Sequence, residues 1–599
     1  MGVFRLSDAD VTGLAWVNDK RLLLTVANVG SDEAEPTGAP GLFAIDADGS
    51  GLLQLTERWG WHLTTTSGDA LSSPVPMVPA NVRLIGIPMS KSGERNEEVL
   101  LLQGSLSQHA DPTPLWVNTR TRAQRPDYFD LPGRIINLWL DPAGAPRVAL
   151  VREDGKLKGL RRTPGSTQWV PMLRGPERDP LPAIFGIDLQ GSIYGASHVG
   201  ADGHAVLVKH EDIDGALRTA VVADIEGFDF EGGIVQDAST GDTVGIRIHH
   251  ARETTLWKTP ALRALQASVD RLLPGLVNRI ECRRCESSDM VALITSYSAQ
   301  NPGHLRVYRA QPPDSQPAWL DLGPLYPEID PSRMASVDFK LIRARDGATL
   351  PVWITRPQGI DGPAPAVVLV HGGPWVRGGY WTWRSEPQFL ASHGYLVIEP
   401  EMRGSRGYGL RHLESGYKQY GQAMQDDVAD ALLWARKTGL ADDRACIMGA
   451  SYGGYSALMG LVKHPELYRC AIATAALTDL DLYVDGSFWV WDDITPEGRK
   501  RDLPRWVGDP KLDAAMLAAN SPVHQAARIK APLLLMHGEK DQRVPLAHAE
   551  RLRRALTAAG RPPEWATYPD EGHGGWKPST KIDMTRRIEA FLSKHLSAP

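Results

Sequence analysis

Residues 445–455 read Ala-Cys-Ile-Met-Gly-Ala-Ser-Tyr-Gly-Gly-Tyr. The run Ala445–Met448 is apolar, as expected of a buried parallel strand. A G-x-S-x-G pattern, Gly449-Ala450-Ser451-Tyr452-Gly453, follows it directly and precedes a helical stretch. In this context the pattern predicts a turn so tight that only small residues fit beside the serine, whose hydroxyl is raised above the sheet. The stretch therefore predicts a nucleophilic Ser451 at the carboxyl edge of a sheet.

Strands and helices alternate on both sides of this turn. Asp346-Gly347 is a hairpin signal between the strand-like runs Phe339–Ile342 and Leu350–Ile354. Alternation of strands and helices predicts a doubly wound, mostly parallel sheet. Together with the serine turn it predicts an α/β-hydrolase domain, which we place at residues 326–599. The runs behind this prediction are the strands Ala366–Val370, Tyr395–Ile398, Cys470–Thr474 and Pro532–Met536, and the helices Gln422–Lys437 and Leu546–Ala559.

A catalytic acid and base are expected further along the chain, because a serine hydroxyl needs a base to take its proton. In α/β-hydrolases the chain order is Ser, acid, His. Asp541 lies just past a strand-like run, and His573 lies in a later glycine-rich loop, with room between them for one helix and one strand. Asp570 and Glu571 are too near His573 in the chain to orient its ring as well. The predicted triad is Ser451, Asp541 and His573.

The segment His371-Gly372-Gly373-Pro374 follows the strand Ala366–Val370. Glycines at this point let the backbone approach a substrate carbonyl closely. The oxyanion hole of this fold combines an N–H from this loop with the N–H of the residue after the nucleophile. We therefore predict Gly373 and Tyr452 as donors, with Gly372 as the alternative to Gly373. His371 and His537 are interpreted as structural.

Residues before about 310 read as short strands separated by turns such as Asp46-Ala47-Asp48-Gly49. A loose repeat of about 40–50 residues predicts an all-β propeller of about six to seven blades. A pair of β-sandwiches is the alternative. The Pro-, Asp- and Gly-rich segment Pro312–Pro331 marks a boundary, so the propeller is placed at residues 1–325. Aromatic-bearing strands recur at similar points of the repeat, in Leu42–Asp46, Leu115–Asn118, Thr255–Lys258 and Leu305–Tyr308.

The motifs of the carboxyl-terminal half resemble the prolyl oligopeptidase family of serine peptidases, closest to its acylaminoacyl-peptidase branch. The resemblance implies a preceding β-propeller, and the family's triad falls on Ser451, Asp541 and His573. The motifs that carry it are His371–Pro374, Arg403–Gly409, Gly449–Tyr455, His537-Gly538 through Asp541 to Val544-Pro545, and Glu571–Gly574.

Two branches of that family place a tyrosine in the loop that here reads His371-Gly372-Gly373-Pro374-Trp375. The departure favours an oxyanion hole of two backbone N–H groups. By resemblance, Trp375 and the segment Phe488-Trp489-Val490-Trp491 line a pocket for apolar side chains. Packing at a domain interface is the alternative for these aromatic rings.

The dipeptidyl branch binds a substrate's amino terminus with a pair of propeller glutamates. Glu97-Glu98 is a candidate for that role, but adjacent charges at a strand end are common on solvated edges. We interpret the pair as such an edge.

Net charge and the distribution of apolar residues argue against two classes of partner, nucleic acids and membranes. The net charge is −6, without a Lys/Arg tract, which argues against nucleic-acid binding. No apolar run approaches the roughly 18 residues of a membrane span. The amino terminus lacks signal-peptide features, so we expect a cytoplasmic protein, or a periplasmic or secreted one if an upstream leader has been removed. The sequence does not decide whether the protein forms a homo-oligomer.

Four cysteines do not make a disulfide framework. The single Cys282-x-x-Cys285 pair lacks the second pair of a closed zinc site, so a chance pair or local disulfide is favoured over metal or redox function. Cys446 and Cys470 lie in apolar runs and are expected to be buried. We expect no metal and no organic cofactor.

These features together predict a serine peptidase that hydrolyses short peptides. An esterase of small acyl substrates is the first alternative, because fold and triad do not determine the leaving group. A binding propeller fused to an inactive hydrolase is the second, and the intact set of Ser, Asp and His argues against it.

Overall fold

The fold is taken from a computed structural model of the chain. The structure describes residues 10–27, 41–57, 75–79, 82–89, 96–104, 112–172, 183–200, 202–213, 215–310, 318–484 and 496–597.

The first half of the described chain forms six small antiparallel sheets, five of four strands and one of three. The first strands of blades 2 to 5 adjoin one another, as inner strands of a propeller do. A six-bladed propeller is thereby confirmed. Blades 1 to 3 are β1 (Asp10–Trp16), β2 (Arg21–Ala27), β3 (Gly41–Asp46) and β4 (Leu53–Gln54); β5 (Val82–Gly86), β6 (Glu98–Gln103), β7 (Thr113–Asn118) and β8 (Gln124–Pro126); and β9 (Arg134–Leu140), β10 (Pro146–Glu153), β11 (Lys156–Arg161) and β12 (Val170–Pro171). Blades 4 to 6 are β13 (Ile184–Ile187), β14 (Ile193–Val199), β15 (His204–Ile213) and β16 (Ala216–Ala223); β17 (Gly232–Gln236), β18 (Thr243–His249) and β19 (Glu253–Trp257); and, after helix α1 (Pro260–Leu272), β20 (Val277–Arg283), β21 (Val291–Tyr297), β22 (His304–Arg309) and β23 (Ala318–Pro324).

The aromatic segments of the sequence repeat all lie on third strands of blades, namely β3, β7, β19 and β22. On β7 and β19 the indole rings of Trp116 and Trp257 are buried. The rings recur at the same strand because each blade buries apolar side chains against the next blade.

Apolar clusters fill the seams between consecutive blades from the first to the sixth. Within the described ranges no apolar cluster joins blade 6 to blade 1. An ion pair between Arg283 and Asp19, 3.1 Å apart, links those two blades instead.

The second half forms one eight-stranded sheet in the order β24-β25-β27-β26-β28-β29-β30-β31. The first two strands are antiparallel to their neighbours and the other six are parallel. The strands are β24 (Ser336–Arg343), β25 (Thr349–Arg356), β26 (Ala364–Val370), β27 (Leu396–Pro400), β28 (Ala441–Ala450), β29 (Cys470–Thr474), β30 (Leu533–Gly538) and β31 (Glu564–Tyr568). The helices are α2 (Ser385–Ser392), α3 (Leu410–Glu414), α4 (Ala423–Lys437), α5 (Tyr452–Lys463), α6 (Leu480–Val484), α7 (Pro496–Trp506), α8 (Ala514–Ala519), α9 (Ala547–Ala558) and α10 (Pro578–Leu596), with short 3₁₀ turns at Pro331–Arg333 and Pro522–Arg528.

Helices cover both faces of this sheet. One apolar cluster joins α4, α5 and α9 to one face, and a second joins α2 and α10 to the other. The predicted doubly wound α/β-hydrolase fold is confirmed. The proposed division between residues 325 and 326 falls in the connection between β23 and β24.

The cysteines pair within each half. Cys282 and Cys285 form a local disulfide at the end of β20, one of the two outcomes favoured by the sequence. Cys446 and Cys470 are fully buried, as expected, and are bonded to each other across the neighbouring strands β28 and β29. The sequence did not predict that second bond, because a parallel pairing between distant strands leaves no signal in residue spacing.

The propeller contacts the loops that follow β26 and β27, at the carboxyl edge of the hydrolase sheet. Arg377 donates to the backbone oxygens of His249 (3.3 Å) and His250 (2.6 Å) in blade 5. The backbone N–H of Leu410 donates to Gly203 of blade 4. The propeller therefore lies against the sheet edge that carries Ser451. None of the described helices is long and apolar enough to span a membrane.

Candidate active site

Ser451 lies between β28 and α5 with φ 58° and ψ −119°. A positive φ is unusual for a serine and marks a strained turn. Its backbone N–H donates to the oxygen of Thr474 at 2.9 Å, which ties the turn to the neighbouring strand β29. The strain is thus held by the sheet, and the side chain is presented at its carboxyl edge.

The two glycines of the motif are required by close packing against β26. A Cβ on Gly453 would lie 2.0 Å from the backbone oxygen of Val370, and one on Gly449 would lie 2.5 Å from the same atom. Real Cβ atoms do not approach that closely, so larger residues would push α5 away from the sheet. The spacing G-x-S-x-G is therefore a steric condition for this turn.

His573 and Asp541 form a hydrogen bond. Nδ1 of His573 lies 2.8 Å from Oδ2 of Asp541, whose side chain is fully buried. The other carboxylate oxygen accepts the backbone N–H groups of Arg543 (2.9 Å) and Val544 (2.8 Å). Ionised carboxylates accept such hydrogen bonds strongly, so the carboxylate is held in one orientation.

The alternative acids considered from the sequence are engaged elsewhere. The carboxylate of Asp570 lies 3.3 Å from Lys540, and that of Glu571 accepts the backbone N–H of Lys577 at 3.1 Å. Ser451, Asp541 and His573 follow the carboxyl ends of β28, β30 and β31 in one sheet.

The loop that carries His573 packs tightly on the end of β30. A Cβ on Gly538 would lie 2.4 Å from the backbone oxygens of both Glu571 and Gly572, so only glycine fits there. The buried ring of His537 bonds through Nε2 to the oxygen of Val544 at 2.7 Å. Burial lowers the pKa of His537, which agrees with the structural interpretation of this residue.

The glycine-rich loop after β26 lies beside the nucleophile. A Cβ on Gly372 would lie 3.6 Å from the Cβ of Ser451. Gly373 adopts φ +115° and precedes a cis peptide bond to Pro374. Tyr452 is the first residue of α5, where a backbone N–H has no partner within the helix. Tyr452 and the alternative donor Gly372 thus lie at the turn, and Gly373 is the next residue of the loop.

Glu401 holds this loop in place and was not singled out from the sequence. Its carboxylate accepts the backbone N–H groups of Gly378 (3.0 Å) and Gly379 (2.6 Å) and the indole N–H of Trp353 (3.2 Å). His371 lies 3.6 Å from the same carboxylate. The available signal was a buried strand, β27, with two glutamates at its end, Glu399 and Glu401.

The predicted pocket residues fall in two groups. The ring of Trp375 packs against Tyr417, Tyr420 and Trp506, at centroid distances of 5.4–6.0 Å. Phe488, Trp489 and Trp491 lie outside the described residues. The role of all four in substrate binding stays a prediction.

The candidate propeller glutamates bind arginines of their own blade. Glu97 pairs with Arg120 at 2.7 Å and Glu98 approaches Arg125 at 3.8 Å. These contacts agree with the interpretation of a solvated edge.

One group of potential metal ligands occurs among the described residues: Asp479, Asp481 and His524. Asp479 is already paired with Arg551 at 2.8 Å and accepts the backbone N–H of Leu482. An arginine in direct contact disfavours a bound cation, so the group carries no metal-site assignment.

Comparison with known proteins shows which family the carboxyl-terminal part of the chain is similar to. Residues 381–599 match the prolyl oligopeptidase family. Dipeptidyl aminopeptidase BIII of Pseudoxanthomonas mexicana is 30% identical over 407 residues, which are 64% of this chain and 55% of that protein. Dipeptidyl peptidase family member 6 of Caenorhabditis elegans is 28% identical over 378 residues, 58% of this chain and 49% of that protein. The chain thus matches about half the length of these relatives.

Solved structures share the fold over the whole chain at low sequence identity. A puromycin-hydrolyzing peptidase of Mycobacterium tuberculosis has a TM-score of 0.65 at 16% identity, with 100% of this chain and 98% of that chain covered. The acylaminoacyl peptidase of Pyrococcus horikoshii has a TM-score of 0.55 at 15% identity, with 98% and 96% covered. At these identities the likeness concerns the fold alone.

Proposed function

We propose that this chain, whose residues 381–599 match the prolyl oligopeptidase family, is a serine peptidase of short peptides that works through Ser451, His573 and Asp541. The observation that carries the proposal is the arrangement of these residues at one sheet edge. The strained serine turn follows β28, and a hydrogen-bonded His–Asp pair follows β30 and β31 of the same sheet. This chain order and placement are those of an acyl-transfer site.

The proposed reaction is acyl transfer in two steps. The Ser451 hydroxyl oxygen attacks the substrate carbonyl, and Nε2 of His573 takes the hydroxyl proton. The same proton then passes to the leaving amine, the amide bond breaks and an acyl-serine ester remains. Water attacks that ester with His573 again as base, which releases the acid and restores the serine. No step needs a metal or an organic cofactor.

Asp541 is assigned to hold and stabilise the imidazolium that forms in each step. Because Nδ1–H of His573 donates to the Asp541 carboxylate, Nε2 is left free to act as the base. The buried carboxylate is itself fixed by two backbone N–H groups. We therefore expect the ring to be held in the productive tautomer before substrate binds.

The N–H groups of Tyr452 and Gly373, or Gly372 in place of the latter, are assigned to the oxyanion. One such donor stabilises a transition state by about 3–4 kcal/mol. The contact of Gly372 with the serine turn and the anchoring of the loop by Glu401 support this assignment.

Short peptides are proposed as substrates for two reasons. The relative that is 30% identical over 64% of the chain is named a dipeptidyl aminopeptidase. The propeller lies against the sheet edge of the proposed site and would hinder large substrates.

The test is a pair of measurements on wild type and Ser451→Ala. A fluorophosphonate probe should label wild-type protein on Ser451, and a chromogenic peptide should be hydrolysed. The variant, shown to be folded by circular dichroism, should lose both properties. Turnover near the wild-type rate in the folded variant would refute the assignment of the nucleophile, while esters cleaved without any peptide would favour an esterase.

A further inference from the structure

The imidazole ring of His371 lies between the backbone of the glycine-rich loop and two buried side chains, Ser405 and Glu401. Its Nδ1 lies 2.7 Å from the backbone oxygen of Gly372. Its Nε2 lies 3.1 Å from the hydroxyl oxygen of Ser405 and 3.6 Å from a carboxylate oxygen of Glu401. One ring nitrogen therefore contacts the proposed oxyanion loop, and the other contacts the polar groups behind that loop.

These contacts determine which ring nitrogen carries a proton. A carbonyl oxygen can only accept a hydrogen bond, so Nδ1 of His371 is protonated and donates to Gly372. In the neutral ring Nε2 is then an acceptor, and the hydroxyl of Ser405 donates to it. The buried hydroxyl thus stabilises the tautomer in which the ring holds the Gly372 carbonyl.

The ring of His371 is also held by close packing. A Cβ on Gly378 would lie 2.3 Å from Cδ2 of the ring and 2.6 Å from its Cγ, so the backbone of Gly378 packs directly against the ring. The N–H of Gly378 in turn donates to Glu401 at 3.0 Å. Because the surrounding groups are fixed and only 15% of the His371 side chain is exposed, the ring has little freedom to leave the carbonyl.

The carbonyl that His371 holds belongs to the same peptide group as the N–H of Gly373, a predicted oxyanion donor. This peptide group is trans, and the C=O and N–H of a planar trans peptide point in opposite directions. Fixing the Gly372 oxygen toward the ring therefore fixes the direction of the Gly373 N–H, on the side away from the ring. Gly372 adjoins the serine turn, since a Cβ there would lie 3.6 Å from the Cβ of Ser451.

We propose that His371 is a positioning residue for acyl transfer: by holding the Gly372 carbonyl, it directs the Gly373 N–H toward the oxyanion. The inference rests on the proposed peptidase function and adds to it a residue that acts through Gly373. A donor that is already oriented stabilises the transition state most, because nothing has to reorganise as the charge develops. Loss of the contact should lower kcat and leave KM nearly unchanged, as for an interaction made only in the transition state.

The test retains one ring nitrogen at a time. The side-chain amide nitrogen of asparagine can occupy the position of Nδ1, whereas that of glutamine reaches the position of Nε2. His371→Asn can therefore still donate to Gly372, while His371→Gln can bond Ser405 but not Gly372. We would measure kcat and KM for a short chromogenic anilide in wild type, in both variants and in His393→Gln, each shown to be folded by circular dichroism. His393, an exposed histidine at the end of α2, is the matched control.

His371→Gln should lower kcat about 100-fold, the effect of losing one oxyanion donor, with KM within about twofold of the wild-type value. His371→Asn should recover most of that loss, and His393→Gln should behave as wild type does. Equal kcat values in the two His371 variants would overturn the proposal, since a role in packing alone does not depend on which nitrogen is retained. A higher KM at constant kcat would overturn it too, because His371 would then act in substrate binding.

A transition-state analogue provides a second measurement. A peptide trifluoromethyl ketone forms a tetrahedral adduct with Ser451 that carries an oxyanion, whereas the carboxylic acid of the same peptide forms none. His371→Gln should raise the inhibition constant of the ketone about as much as it lowers kcat, and leave that of the acid nearly unchanged. The same ketone affinity in wild type and His371→Gln would overturn the proposal.

Two further points keep the outcomes of this experiment distinct. If the glutamine variant does not fold, His371→Ala, which retains neither nitrogen, takes its place in both comparisons. Wild-type protein that neither hydrolyses the anilide nor binds the ketone would refute the peptidase function itself. Wild-type activity that does not depend on which nitrogen is retained at residue 371 would refute only the role of His371.

Discussion

The proposed chemistry depends, residue by residue, on how each polar group is partnered. Asp541 is fully buried and has three hydrogen-bond partners, so its carboxylate has one orientation. Asp570, by contrast, is exposed and pairs with Lys540 at 3.3 Å. Burial and a complete set of partners thus suit Asp541, rather than Asp570, to the proposed role of holding the histidine in one orientation.

Replacing Asp541 by Asn should lower kcat by about 10⁴-fold, because an amide can hold the His573 ring in the wrong tautomer. The measurement is steady-state hydrolysis of a short chromogenic peptide by folded variant protein. Asp570→Asn is the control and should retain most of the activity, since Asp570 pairs with Lys540. Similar losses in both variants would contradict the assignment of Asp541 as the acid.

His548 should contribute to acid sensitivity. It is 2% exposed, its Nδ1 accepts the backbone N–H of Thr478, and burial lowers its pKa from 6.5 to about 4. Between these values the unfolded chain binds the extra proton and the folded chain does not, so stability falls as the pH drops from about 6.5 to 4, by about 3 kcal/mol in all.

His548→Asn keeps an acceptor for Thr478 and cannot be protonated, so its unfolding midpoint in urea should vary less with pH over this range than that of wild type. His393→Asn, at the surface, should behave as wild type does. The same pH slope in His548→Asn and wild type would exclude His548 as a source of the effect.

At the level of secondary-structure elements, the short distance between α5 and β26 determines the conformation of the serine turn. Gly449 and Gly453 both face the backbone oxygen of Val370, and the strand β28 that leads into the turn is bonded to β26 along its length. The helix can approach the sheet only because these residues lack side chains. The position of Ser451, the proposed nucleophile, is thus a consequence of helix-to-sheet packing.

Gly453→Ala should lower kcat/KM by at least about 100-fold, because a displacement of about 1 Å at a catalytic group has that effect. Its apparent unfolding temperature should also fall, since the new methyl group meets rigid backbone. Gly460→Ala is the matched control in the same helix: its Cβ would lie 3.0 Å from the end of the Ile447 side chain, which can move. Equal activity of the two variants would show that the close approach is not required.

Across the two domains, the propeller is joined to the hydrolase through the loop that also carries the glycines of the proposed oxyanion hole. Arg377 of that loop is almost fully buried, donates to two backbone oxygens of blade 5 and pairs with Glu231 at 3.2 Å. A contact between the two domains and the glycines of the proposed oxyanion hole therefore lie on the same loop.

We expect short chromogenic peptides to be hydrolysed and a folded globular protein to resist, with unstructured casein cleaved slowly. The reason is that a disc of blades against the sheet edge admits only flexible or small substrates. The three substrates are compared under one set of conditions by mass spectrometry. Efficient cleavage of the folded protein would contradict the proposal that the propeller excludes large substrates.

Arg377→Met tests whether the domain contact sets this limit. Loss of the contact should raise the ratio of casein to peptide hydrolysis, even if the absolute rates fall. Arg411→Ala is the control, because its pair with Asp202 is mostly exposed and contributes little. An unchanged ratio in Arg377→Met would assign the size limit to another part of the molecule.

Local patterns in the sequence were enough to predict the architecture and to name the candidate triad. Period and motif carry such information because strands, turns and a nucleophile turn each need particular residues at fixed local spacing. Helices predicted at Gln422–Lys437 and Leu546–Ala559 are present as Ala423–Lys437 and Ala547–Ala558. Which groups meet was visible only in the folded chain: the bond between Cys446 and Cys470, and the hydrogen bonds by which Glu401 holds the glycine-rich loop. These depend on contacts between segments far apart in the chain, whose register and packing leave no periodic trace in the sequence.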